Sequence, residues 1–388
     1  MKTKEEIISD FEKKNIKRVK IAITDIDGVM RGKYISFKKF KSILDSTGAF
    51  CDCVFGWDVA DTLYENDVAF TGWHTAYPDA KFKIDLSTLR WPDGESTPFF
   101  LAEFVANDEK SPHEICPRNI LKKVLGQAKE IGIGFNLAFE YEFFVFNETS
   151  HTIREKNYQN LTPLTPGMFG YSVLRNSTYD ELFVEFMDYF ENINIPLEAV
   201  HCETGPGVWE AAIEYDEAIA AADKASMFKT FTKVFFQKRN LISTFMARWS
   251  LDYPGQSGHI HLSPYDLKTG KNLFYENSDP NNMSPMMKSF LAGMAMHMRE
   301  LLPLTTPNIN SYTRLVKGFW APTAATWGVE NRTCALRAIT GSSKAQRIEY
   351  RVGSADANPY LAAAAIIAAG LEGVRAQLVP ESPVVGNA

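Results

Sequence analysis

Residues 134–146 read Gly-Phe-Asn-Leu-Ala-Phe-Glu-Tyr-Glu-Phe-Phe-Val-Phe, and this alternation constrains the chain more than any other segment. A period of two puts Phe135, Leu137, Phe139, Tyr141, Phe143 and Val145 on one face of a β-strand. The other face carries Asn136, Ala138, Glu140 and Glu142. Two carboxylates on so apolar a strand repel each other and lose hydration unless a cation neutralises them. The strand is either a solvated sheet face or the acidic wall of a metal site.

Three further segments repeat the pattern. In Gly255-Gln-Ser-Gly-His-Ile-His-Leu-Ser263, Ile260 and Leu262 point one way and His259 and His261 the other. The glycines let a ligand approach the backbone, and imidazole is a good metal ligand. In Arg347-Ile-Glu-Tyr-Arg-Val352, Ile348, Tyr350 and Val352 face a core, leaving Arg347, Glu349 and Arg351 together. That trio is either a surface ion-pair ladder or a carboxylate between two guanidiniums able to grip phosphate or carboxylate. In His201-Cys-Glu-Thr-Gly-Pro-Gly-Val-Trp-Glu210, the Thr-Gly-Pro-Gly turn lets Glu203 and Glu210 converge. Arg314, Arg332 and Arg337 add three more guanidiniums. Carboxylates with one imidazole suit Mg²⁺ or Mn²⁺ better than structural zinc. No GxxxxGK[ST] string occurs, so ATP phosphates would be held by side chains and ions.

A length of 388 residues permits two domains and a substantial core. With 45% hydrophobic and 23% charged residues the composition is ordinary for a globular protein. The net charge of −6 argues against nucleic acid or an anionic membrane as partner. The longest apolar run, Leu361 to Leu371, is about half of a membrane span and reads as a buried helix. The first residues are charged and amphipathic, without the apolar core of a signal peptide. Cys51, Cys53, Cys116, Cys202 and Cys334 lack metal-type spacing; Cys51 and Cys53 read as packing thiols, and a reducing cytoplasm is expected. A small unit with strands at Val19–Ile23 and Phe99–Val105 runs to about residue 110, followed by a polar linker, Asn107–Pro112. A helix opens at Pro117, with Ile120, Leu121, Val124, Leu125, Ala128 and Ile131 on one stripe.

The strings FEYEFF, HCETGPGVWE, GQSGHIHLS, NSYTRL, APTAATWGVENRT and RIEYRVGSADANPYLAAAA, in this order, resemble the glutamine synthetase superfamily. The resemblance implies an α+β chain with a small N-terminal β-grasp domain (1–110) and a catalytic domain (111–388) whose curved antiparallel sheet forms a bifunnel. It implies ATP and two Mg²⁺ or Mn²⁺ ions, one held by Glu142, Glu203 and Glu210 and the other by Glu140, His259 and Glu349. Arg332, Arg337 and Arg347, with Ser263 and Lys344, would serve the nucleotide. Gly255, His259, Arg314 and Arg351 would hold glutamate, and Arg332, Arg337 and Glu203 would be catalytic. The implied reaction passes through γ-glutamyl phosphate, which an amine then attacks. The resemblance also implies a ring-forming homo-oligomer such as a dodecamer.

Two positions depart from glutamine synthetases. Where those enzymes close the site with a flap glutamate, this chain reads Gly318-Phe-Trp-Ala-Pro322, with Trp320 at the glutamate's place. Where they carry an ammonium-binding aspartate, the nearest string is Phe55-Gly-Trp-Asp-Val59, with Phe55 at that place and Asp58 and Asp61 nearby. Aromatic walls favour an organic amine, with a cation–π contribution of roughly 0.5–2 kcal/mol. The chain thus resembles the γ-glutamylpolyamine and γ-glutamylamide synthetase branch, whose acceptor is a primary amine. The alternatives are a glutamine synthetase using ammonia and a non-catalytic structural or regulatory relative. The sequence stops at Ala388, short of the region where some bacterial relatives carry a nucleotidylated tyrosine, so that regulation is not expected.

Overall fold

The computed structural model of the chain describes residues 2–66, 68–94 and 96–388. Two compact units emerge, Met1–Lys122 with Asn192–Asn194, and Lys123–Glu191 with Ile195–Ala388. The polar stretch expected to be a linker is instead an ordered turn, in which Asp108 accepts from the Lys110 and Ser111 amides at 2.8 Å.

In the first unit, α1 (Lys4–Lys13) opens under a capping box, Thr3 and Glu6 exchanging side-chain to backbone hydrogen bonds at 3.2 and 2.7 Å. β1 (Arg18–Thr24) and β2 (Met30–Ser36) form a hairpin, followed by α2 (Phe37–Leu44), β3 (Gly48–Cys51), β4 (Asp79–Ile84) and β5 (Phe99–Phe104). Among the described residues the sheet order is β2-β1-β5-β4-β3, with β1 and β5 parallel. Helices laid on a mixed sheet with that central parallel pair make a β-grasp unit. Its core is phenylalanine-rich: Phe40 stacks on Phe100 at 5.3 Å and meets Phe11, tilted, at 5.8 Å.

α3 (Pro117–Glu130) opens on its proline as expected, but it stops before Ile131, which is 64% exposed. There follow β6 (Ile133–Phe146), α4 (Ser150–Glu155), α5 (Val173–Thr178), α6 (Asp180–Asn192), β7 (Leu197–Cys202), β8 (Val208–Ile213) and β9 (Asp216–Glu217). The chain continues through α7 (Ala218–Gln237), β10 (Ile242–Thr244), β11 (Gly258–Asp266), α8 (Pro285–Thr305) and α9 (Ile309–Tyr312). It ends with β12 (Trp327–Val329), β13 (Leu336–Ile339), β14 (Arg347–Tyr350) and α10 (Pro359–Arg375). The main sheet runs β12-β13-β14-β11-β6-β8-β7, with β9 and β10 added to β6. It is curved, and it departs from a fully antiparallel sheet at one place: β12 and β13 are parallel.

Burial along β6 alternates as the sequence predicts as far as Glu142, after which Phe143–Phe146 are all buried because Phe144 and Phe146 pack against Val208 and Trp249 on the other face. Its apolar row meets α6 and α7, where Phe143 lies 6.0 Å from Phe186 and 6.1 Å from Phe228, and Trp209 of β8 stacks on Phe183 at 3.8 Å. The run Leu361–Leu371 is a buried helix, and no helix among the described residues is long and apolar enough to cross a membrane. All five cysteines are free, and Cys51 is exposed rather than packed.

α8 and α10 approach until their backbones touch. A Cβ on Gly373 would lie 2.2 Å from the Ser289 carbonyl oxygen and 2.7 Å from Gly293 Cα. Gly373→Val therefore forces the helices apart. It should cost about 1–3 kcal/mol, read as a lowered thermal midpoint, whereas Ala376→Val beyond the contact should leave the midpoint nearly unchanged.

Candidate active site

The polar side of the main sheet gathers the acids into two clusters. Glu140 pairs in register with His259, and His261 with Glu349, so the β6–β11–β14 ladder brings Glu140, His259 and Glu349 together. One donor atom from each lies within 4.8 Å of the others. His259 Nδ1 is 3.1 Å from Glu140 and 3.5 Å from Glu349. Glu349 is only 1% exposed, which rules out the reading of a surface ladder.

The second cluster is His201, Glu203 and Glu210, with His201 Nε2 3.2 and 3.5 Å from the two carboxylates. The turn between Glu203 and Glu210 does make them converge. Glu142, expected with them, faces Glu210 across the β6–β8 pair, but its carboxylate accepts from the Ser257 amide at 2.6 Å. His201 stands in the cluster instead. Sequence reasoning gave it no role, although β7–β8 pairing sets it directly opposite Glu210. Tyr171, also not foreseen, stacks on the His201 ring at 4.3 Å.

Charge in this region is unbalanced. Burial, then Glu140, Glu142 and Glu203, push the Glu210 carboxyl up to about 10. Glu349 differs: burial raises it, but His259, His261, Arg351 and Arg337 outweigh that and hold it at about 2. The missing positive charge is thus at the Glu210 end, where a cation would supply it.

The arginines surround Glu349. Arg337 Nη1 donates to it at 3.1 Å and Arg337 Nη2 to Glu330 at 2.6 Å, while Arg351 forms a further ion pair with it. Arg347 Nε donates to His261 Nδ1 at 3.1 Å, so the second histidine orients an arginine and is not in either cluster. Burial keeps His261 below the usual imidazole range, matching its acceptor role. A cleft of about 860 Å³ opens here, lined by Asn136, Glu140, Ser263, Lys344 and Arg347 among others. The Arg332 side chain is exposed, and its carbonyl accepts from Arg351 Nε at 3.0 Å.

Arg314 is buried, its guanidinium donating to the Val352 and Arg351 carbonyls at 2.9 and 3.1 Å, and burial brings it down to about 10. Gly255 lies against it: a Cβ there would sit 2.6 Å from Arg314 Cγ. Trp320 is 69% exposed and adopts φ 59°, a left-handed conformation costly for a large side chain. Phe55 is placed differently from the expectation. It is 3% exposed, 4.6 Å from Phe104 and 4.9 Å from His113 in the first unit's core, so it is not free to line an amine pocket within this chain. Of the nearby acids, Asp58 accepts from the Ala60 and Thr62 amides and Asp61 pairs with Arg31.

These residues fit divalent ions. Both clusters are oxygen-rich with one imidazole, the donor set of hard cations. His259 Nε2 and Arg337 Nε are buried with no hydrogen-bond partner, so unspent polar capacity faces the same region.

Comparison with known proteins agrees. Residues 114–388 match the glutamine synthetase catalytic domain. The chain is 47% identical over 371 residues to type-1 glutamine synthetase 2 of Dictyostelium discoideum, covering 95% of this chain and 70% of that protein. It is 38% identical over 385 residues to glutamate–isopropylamine ligase of a Pseudomonas species, covering 98% and 83%. The solved GmaS/ADP complex superposes with a TM-score of 0.83 at 25% identity, over 97% of this chain and 83% of that one. By its catalytic-domain match, its relatives and its fold, the chain belongs to the glutamine synthetase family.

Proposed function

We propose that the chain is an ATP-dependent ligase that joins the side-chain carboxylate of glutamate to an organic primary amine through γ-glutamyl phosphate. The observation that carries the amine half is Trp320, an exposed indole at the flap position where glutamine synthetases place an acid. The relative that ligates isopropylamine to glutamate supports the same reading. A second reading, ammonia as acceptor, is favoured by the 47% identical relative named a glutamine synthetase.

ATP would supply the phosphoryl group, and two Mg²⁺ or Mn²⁺ ions the charge that lets a carboxylate approach phosphate. Glu140, His259 and Glu349 would hold one ion, and Glu203 and Glu210, with Glu142 or His201, the other. Arg347, oriented by His261, with Arg332, Arg337, Ser263 and Lys344, would bind the nucleotide phosphates and stabilise charge on the transferring group. Gly255, His259, Arg314 and Arg351 would position glutamate. Glu203 would take the proton lost by the amine. Burial raises the Glu203 carboxyl, but His201 and Thr204 outweigh it and hold the group below the usual range; once the nitrogen bonds to an acyl carbon its proton is acidic enough to pass even to such a carboxylate. The Trp320 flap would keep water from the acyl phosphate. The exposed apolar stretch Met168, Phe169, Tyr171, Val173 and Leu174 supports a ring-forming homo-oligomer, which we place in the cytoplasm.

With glutamate, ATP and a panel of amines, a primary alkylamine should exceed ammonia in kcat/KM, and Trp320→Glu should shift that ratio at least about tenfold toward ammonia, or about 1.4 kcal/mol. Ammonia outperforming every organic amine in the unmodified protein would overturn the amine reading. Mg²⁺ with ATP should raise the thermal midpoint. Glu349→Gln should abolish that rise and lower kcat on the order of 10²–10³-fold, comparable to losing one electrostatic stabiliser of a transition state. An unchanged metal response in that variant would remove Glu349 from the site.

A further inference from the structure

Arg248 is 6% exposed, and among the described residues no carboxylate pairs with it. A buried guanidinium must place its donors somewhere, and here backbone carbonyls take them. Nε donates to the Tyr253 carbonyl at 3.1 Å, Nη1 to Thr313 at 2.7 Å and Nη2 to Leu251 at 2.8 Å. The guanidinium also lies over the Phe319 ring, 5.1 Å from its centroid. The main chain of the same residue is gripped by Asn310, whose side chain accepts from Arg248 N at 2.9 Å and donates to Arg248 O at 2.6 Å.

One residue therefore joins three segments: the loop after β10, the α9 turn that leads to Arg314, and the flap that carries Trp320. Past Thr313 the chain turns through Val316 N to Arg314 O at 2.8 Å and Phe319 N to Val316 O at 3.2 Å. Gly318 and Trp320 then both take positive φ, 86° and 59°. A tryptophan stays in that conformation only when its surroundings impose it. Beside its own backbone turns, the root of this segment is held from outside by the Arg248 fork at Thr313 and by the guanidinium over Phe319. A lysine, with donors radiating from one point, cannot span three carbonyls that a planar fork reaches.

We propose that Arg248 is a positioning residue for the amine, fixing the flap so that Trp320 presents its ring to the acceptor. This rests on the amine reading of Trp320. Arg248 touches no substrate; it acts through Phe319 and the Thr313 carbonyl.

The test is steady-state kinetics of the full chain with isopropylamine as the amine, comparing Arg248→Met, Arg248→Lys, Phe319→Leu and Trp320→Ala. For Arg248→Met, KM for the amine should rise at least tenfold while KM for glutamate and ATP changes less than twofold, and ADP should form in excess of amide. Arg248→Lys should recover part of that loss, and Phe319→Leu should shift the amine KM in the same direction by a smaller factor. A uniform rise in all three KM values, or a fall in kcat alone, would reduce Arg248 to a structural role and overturn the proposal. If Arg248→Met does not fold, Arg248→Lys and Phe319→Leu decide by the same split. Should Trp320→Ala leave the amine KM unchanged, the amine reading itself falls. Should Trp320→Ala raise it while neither the Arg248 variants nor Phe319→Leu does, only the positioning role is lost.

Discussion

Mutual repulsion of carboxylates on one face of the main sheet is the constraint that the rest of the catalytic unit answers. Glu140, Glu142, Glu203, Glu210 and Glu349 all project from strands or strand ends toward the same side. At an effective dielectric near 20, two such charges about 4 Å apart oppose each other by about 4 kcal/mol. Flexible loops would relieve that by moving apart. A sheet cannot, because the opposite face is locked by rings: Tyr141 and Phe143 against Phe228, Trp209 against Phe183. A one-residue slip in β6 would turn those rings to water and the acids into the core, so the register is strongly determined. The core thus holds charges where a cation can use them, and Glu210, pushed up by burial and its neighbours, records the unmet demand.

The compensation follows a gradient. Around Glu349 the positive groups belong to the chain, namely Arg337 and Arg351, with the His259 imidazole 3.5 Å away. Around Glu203 and Glu210 the one basic side chain within 4 Å among the described residues is His201. One side of the site is largely pre-neutralised and the other is left open to an ion.

What the sequence disclosed, and what it hid, divide along the same physical line. Strand alternation is local, so the partition of Phe139 and Tyr141 from Glu140 and Glu142 could be read directly. Convergence of Glu203 with Glu210 followed from a turn. His201 was invisible as a partner because its proximity depends on which residue of β8 it opposes, a register that no local pattern encodes. Phe55 misled for a related reason: an aromatic side chain suits a ligand pocket and a core equally well, and only the packing of Phe104 and His113 around it decides. Ile131 fell on the helical stripe, yet the turn at Ile131–Gly132 ended the helix first. The two halves of the reaction also differ in substrate for inference. The acidic ladder lies on strands, which sequence patterns specify well, whereas the root of the Trp320 segment is held by the Arg248 guanidinium, which comes from far away in the chain.

The parallel pairing of β12 and β13 has its own corollary. Parallel neighbours are normally joined by a dozen or more residues, but here the link is only the stretch from Glu330 to Ala335. So short a bridge has little slack, and it is tethered further where the Arg332 carbonyl accepts from Arg351 and where Asn331 Oδ1 accepts from both the backbone amide and the hydroxyl of Thr333. The main chain at Arg332 behaves as a fixed post, while its exposed side chain makes no hydrogen bond or ion pair among the described residues. A long cationic arm on a rigid mount keeps one origin, so its reach is set by the bonds of a single side chain and not by loop motion.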